Sequence, residues 1–71
     1  MSICTGVIIE FVDGSMLPFD GERYVADYER AAVGRSGKSL IQALFTNDWG
    51  APPARLKVVR DGKSVATVEY K

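Results

Sequence analysis

The chain has 71 residues, 9 basic and 9 acidic side chains, no histidine and a single cysteine, Cys4. That length builds one domain, spanning residues 1–71, with a stability margin of roughly 3–5 kcal/mol and little room for a deep cleft. Zero net charge gives no overall pull toward nucleic acid or an anionic membrane. The missing histidine removes the usual general base and metal ligand, and one thiol builds neither a disulfide framework nor a thiolate zinc site.

Residues 5–12 are rich in β-branched side chains and predict a strand. Asp13-Gly14 follows, the strongest short signal for a hairpin. A two-residue loop would put Leu17 and Phe19 on the face opposite Val7, Ile9 and Phe11. A three-residue loop, Val12-Asp13-Gly14, pairs Phe11 with Ser15, Ile9 with Leu17 and Val7 with Phe19. All five apolar side chains then share one face, so this register is expected, with Gly14 in the left-handed position of a bulge. Pro18 cannot donate to a ladder and places the second strand at an edge.

Residues 22–30 alternate, with Tyr24, Ala26 and Tyr28 on one side. The same segment sets Tyr24, Tyr28 and Ala32 at helical spacing. We assign it as a third strand. On strands, Asp20/Glu22 and Asp27/Glu29 form carboxylate pairs that share a face.

Residues 36–50 predict a helix, with Leu40, Ile41, Leu44 and Phe45 as one apolar stripe. Lys38, Gln42 and Thr46 fall on the wet side. Ser36 suits the N-cap, Gly50 the position after the helix, and Pro52-Pro53 forbid continuation.

Residues 54–59 and 63–70 predict a second hairpin about Arg60-Asp61-Gly62. A three-residue loop pairs Val58 with Ser64, Leu56 with Ala66 and Ala54 with Val68. Leu56, Val58, Ala66, Val68 and Tyr70 then form one apolar face, with Arg55, Lys57 and Thr67 on the other. The expected fold is α+β: an antiparallel sheet of about five strands, in the order β-β-β-α-β-β, covered by one helix.

The segment Ala32-Val33-Gly34-Arg35-Ser36-Gly37-Lys38-Ser39 ends like a phosphate-binding loop, but Ala32 stands where the first glycine belongs. A chain of this length also lacks the parallel sheet and acidic strand that a nucleotide-hydrolysing site needs. The segment is expected to be a turn that starts a helix, with at most a weak anion site at Arg35, Lys38 and free amides. Serines and aspartates are present, but nothing activates a hydroxyl. No catalytic residue, metal or cofactor is expected, and the chain is not expected to be an enzyme.

Charge is unevenly spread. Residues 1–29 carry six acidic side chains and Arg23, net −5; residues 30–71 carry eight basic and three acidic ones, net +5. Such asymmetry orients a molecule toward a complementary partner. The candidate contact residues are Arg35, Lys38, Arg55 and Lys57, with Trp49 as an aromatic anchor. Asp20, Glu22, Asp27 and Glu29 form a competing acidic patch. Tyr24, Tyr28 and Arg23 would suit base stacking, but Glu22, Asp27 and Glu29 surround them with the wrong charge.

No run approaches the roughly 18–20 apolar residues of a membrane helix. The opening ten residues lack a basic leader and reach Glu10 early. A cytoplasmic setting is expected, and no membrane partner.

A strand, then a helix ending in Trp49-Gly50-Ala51-Pro52, then a short hairpin resembles the small phage-encoded anti-CRISPR proteins that act on type I-F systems. The resemblance covers roughly residues 23–68. It implies a compact α+β binder in the host bacterial cytoplasm that blocks a host protein or ribonucleoprotein complex by occupying a surface. A phage inhibitor of host RNA polymerase is the alternative of the same kind. A small nucleic-acid-binding module using Arg35, Lys38, Arg55 and Lys57 is the alternative of a different kind.

Overall fold

The structure is a computed structural model, described for residues 4–45 and 52–71. Its elements run β1 (Gly6–Phe11), β2 (Met16–Asp20), α1 (Glu22–Ala31), α2 (Gly37–Leu44), β3 (Pro53–Arg60) and β4 (Lys63–Glu69). The class is α+β with an antiparallel sheet. The described sheet has four strands rather than about five, ordered β2-β1-β3-β4, and two helices rather than one.

The first hairpin closes in the expected register. Ile9 pairs with Leu17 and Val7 with Phe19. The Phe11 N–H donates to the Ser15 carbonyl at 2.8 Å, the Gly14 N–H donates back to the Phe11 carbonyl at 3.0 Å, and Gly14 lies at φ 92°. β2 is an edge strand, and Pro18 costs it no partner there.

The expected third strand is the helix α1. Alternation would turn Val25 outward, yet Val25 is only 2% exposed and packs into the core with Tyr24 and Tyr28 beside it. Counting Tyr24, Val25 and Tyr28 together, rather than Tyr24, Ala26 and Tyr28, yields a helical stripe. Local preferences agree: Glu, Arg and Ala dominate the segment. Glu22 in the first turn and Arg30 in the last suit the helix dipole, and Arg30 pairs with Asp27 three residues back. Gly21 starts the helix at φ 143°, ψ 144°, a conformation closed to other residues.

α2 carries its stripe as expected. Leu40 and Ile41 are buried, Leu44 and Phe45 half-buried. The helix stops sooner than expected, because Phe45 is already extended at φ −133°, ψ 112°. The expected end at Gly50 lies outside the described residues, as does Trp49.

The second hairpin keeps its expected faces and changes its expected register. Asp61 and Gly62 are both left-handed, at φ 54° and 77°, which makes a two-residue turn with Arg60 opposite Lys63. That turn alone would flip every following side chain. An irregularity between Val58 and Val59 adds one residue on β4, so Val58 pairs with Ala66 and Leu56 with Val68. The turn is tethered: the Gly62 N–H donates to the Cys4 carbonyl at 2.7 Å and the Asp61 N–H to Thr5 Oγ1 at 3.3 Å.

Both helices pack on one side of the sheet. Val7, Ile9, Leu56 and Val58 meet Val25 and Ile41 in a single buried cluster. The opposite side carries Ile8, Glu10, Arg55, Lys57, Thr67 and Glu69, the alternate residues of the same strands.

Candidate functional site

The sequence-selected cations fall into two groups on the two sides of the sheet. Arg55 and Lys57 point away from the core, as their alternation with Leu56 and Val58 requires. They are not free. Glu10, opposite Arg55 across the β1–β3 ladder, pairs with both of them, lying 3.6 Å from Lys57 Nζ and in direct contact with Arg55. Arg55 Nε also donates to Glu69 Oε2 at 3.1 Å. The Glu10 side chain is only 18% exposed, so this cluster neutralises a half-shielded carboxylate. Reversing Arg55 and Lys57 to Glu would therefore destabilise the sheet.

The acidic set is rearranged by the helix. Asp27 and Glu29, two apart, leave α1 in different directions. Glu22 and Glu29, two turns apart, share a side and bracket Arg60 of β3, at 3.4 and 3.8 Å. Asp27 instead holds Arg30. Asp20 ends β2 apart from these pairs. What looked like one acidic patch is one carboxylate at a strand end and three that are matched to arginines.

Arg35 and Lys38 stand together at the corner that joins α1 to α2. Arg30, Arg55, Lys57 and Arg60 each reach a carboxylate. Among the described residues Arg35 reaches none, and Lys38 lies 5.5 Å from the centre of the Tyr70 ring. Val33, at the tip of the corner, is 78% exposed. The corner thus presents an exposed apolar side chain, Val33, two residues from Arg35.

The expected weak anion site at the start of α2 is already filled from within. Ser36 occupies the N-cap position with extended backbone, but its hydroxyl makes no capping bond. The Lys38 N–H donates instead to the Lys71 carbonyl at 2.8 Å. Gly37, at φ 57°, allows this approach: a Cβ there would sit 2.7 Å from that oxygen. Gln42 Nε2 reaches the Tyr70 hydroxyl at 3.3 Å and completes the latch.

Beside the latch lies a groove of about 420 Å³, floored by Tyr28, Ala32, Leu40 and Val68, with Arg35 and Lys71 on its rim. A smaller cleft of about 340 Å³ opens between α1 and α2, and Arg35 lines it too. Arg35 is a candidate from the sequence, but the groove beside it exists only because α1 is a helix and not the expected strand.

Tyr24 and Arg23 belong to packing. Tyr24 tilts against Phe19 at 5.4 Å, Phe19 stacks on Phe45 at 4.5 Å, and Arg23 donates to the Tyr24 hydroxyl while lying 4.9 Å from its ring centre. That hydroxyl raises the Arg23 pKa further above its ordinary value. No His, Cys, Asp or Glu cluster able to hold a metal occurs among the described residues, and no described helix is long and apolar enough to cross a membrane. No family model, no curated protein and no solved structure matches the chain.

Proposed function

We propose that the chain is a non-enzymatic, phage-encoded protein-binding inhibitor that blocks a host ribonucleoprotein such as a CRISPR surveillance complex by covering part of its surface. The carrying observation is the α1–α2 corner, where Arg35 has no acidic partner among the described residues while Arg30, Arg55, Lys57 and Arg60 are each matched within the fold. Unmatched charge beside an exposed apolar side chain is what an interface uses to steer and then anchor a partner. The lack of histidine and the pairing of Glu22 and Glu29 with Arg60 favour binding over chemistry.

The test is direct. A purified type I-F surveillance complex is incubated with the protein and its target-DNA binding is measured. Wild type should inhibit, and Arg35→Glu with Lys38→Glu should weaken inhibition by roughly tenfold while the thermal melt stays unchanged, since exposed charges act on association more than on stability. A salt series with DNA and with RNA separates the rival reading. Nucleic-acid binding that falls steeply with salt, without effect on the complex, would replace a protein partner with a phosphate backbone.

A further inference from the structure

We propose that the groove between β4 and the α1–α2 corner receives a short extended segment of a partner protein, in which an apolar and an acidic side chain stand two residues apart. The inference rests on the reading of this corner as the contact surface and names what it holds. β4 is the outermost strand of the sheet. The Tyr70 N–H points inward, donating to the Ala54 carbonyl at 3.1 Å. Backbone alternation then turns the N–H and carbonyl of Thr67 outward, into the groove that Thr67 itself lines. An edge strand with outward groups beside a groove is the arrangement that binds an added strand through backbone bonds and selects it through side chains. At the other edge of the sheet Pro18 removes such a donor from β2.

The groove sets the selection. Its floor of Tyr28, Ala32, Leu40 and Val68 is apolar, and its volume of about 420 Å³ suits a bound side chain and its backbone. Arg35 and Lys71 give the rim its sign. The one acidic residue that lines it, Glu69, is engaged by Arg55 at 3.1 Å. In an extended segment added to β4, side chains two residues apart share a side of the sheet, so the residue two positions from the buried one also faces the helices, at the rim, where a carboxylate meets Arg35.

The experiment is selection of short random peptides displayed on phage against the immobilised full chain. Wild type should enrich sequences with an apolar and an acidic residue two positions apart. The synthetic consensus peptide should shift the amide resonances of Ala32, Thr67 and Val68. Its affinity should fall about tenfold on Arg35→Glu, a charge reversal at an exposed site. Ala32→Phe fills the groove and should abolish binding. If that variant fails to fold, the Arg35→Glu result and the resonance map decide alone. No enrichment, a basic consensus, or a peptide whose binding ignores Arg35→Glu and maps elsewhere would overturn the proposal. So would a short single-stranded oligonucleotide that shifts the same resonances where no peptide does. Failure of the chain to inhibit a surveillance complex leaves these peptide results standing, and loss of peptide binding with inhibition intact removes only the groove.

Discussion

The β1–β2 hairpin closes through Val12-Asp13-Gly14 with Gly14 at positive φ, whereas the β3–β4 hairpin closes through Asp61-Gly62 with both residues at positive φ. The first loop is held by its own residues, Asp13 bonding to Ser15. The second is tied to Cys4 and Thr5, at the approach to β1. The outer strands differ in the same sense. β2 is sealed by Pro18 and by the packing of Phe19 on Phe45 and Tyr24. β4 runs into a latch in which Lys71 caps α2. An identical Asp-Gly signal thus yields two loops, because the burial requirement fixes only which face each strand turns inward. What the turn touches selects its length, and a bulge restores the face where the turn would have flipped it.

The largest effect should come from the latch of the second hairpin. Gly37→Ala forces a Cβ to 2.7 Å from the Lys71 carbonyl at a φ of 57°. Left-handed strain and overpacking together should remove about 3 kcal/mol in urea denaturation. A loss under about 1 kcal/mol would show that residues 69–71 yield without cost and that β4 is not latched. The counterpart in the first hairpin is Phe19→Ala. It removes the 4.5 Å stack on Phe45 and the contact with Tyr24. Because Phe19 is half-buried, the loss should be about 2 kcal/mol, below that of a fully buried phenylalanine.

The glycines of the two turns bring the comparison closer. Nothing lies within 4 Å of a Cβ built at Gly14 or Gly62, so alanine there meets only backbone strain. Each substitution should cost about 1 kcal/mol. Asn at either position should recover part of it, since Asn tolerates the left-handed region. Equal costs would show that the tether to Cys4 adds no rigidity. A larger cost at Gly62 would show that the tethered turn cannot relax.

The face-sorting of both hairpins was legible in the sequence because period-two burial leaves a strong imprint on Val7, Ile9, Leu17, Phe19, Leu56, Val58, Ala66 and Val68. The stripe of α2 was legible for the same reason at helical period. α1 was not. Tyr24 and Tyr28 fit both periods, and only Val25 discriminates, a single residue whose burial depends on the sheet beneath it. That one misassignment hid the groove, misplaced Asp27 relative to Glu29, and added a strand to the sheet. The charges were legible as residues but not as pairs. Glu10 takes Arg55 and Lys57 through a ladder between β1 and β3 that spans 45 positions in sequence, and no local pattern announces it.

The smallest and most local difference between the hairpins is electrostatic. The Asp13 carboxylate accepts from the Ser15 hydroxyl at 2.6 Å and from the Ser15 N–H at 2.9 Å. The hydroxyl bond first, and the N–H bond second, hold its pKa below the usual aspartate range. A depressed folded-state pKa means that this contribution is present above the ordinary aspartate pKa and fades as pH falls through the folded value. Ser15→Ala deletes the larger cause and keeps the smaller. Asp13 should then titrate closer to an ordinary aspartate in a carboxyl carbon NMR titration, while remaining below it. The second turn supplies the control. There the bond runs from the Asp61 N–H to Thr5 Oγ1, so Thr5→Val alters that turn through its backbone and should leave the Asp13 titration unchanged. If Ser15→Ala leaves Asp13 where it was, the first loop is not held by its own side chains, and the contrast between a self-contained turn and a tethered one fails.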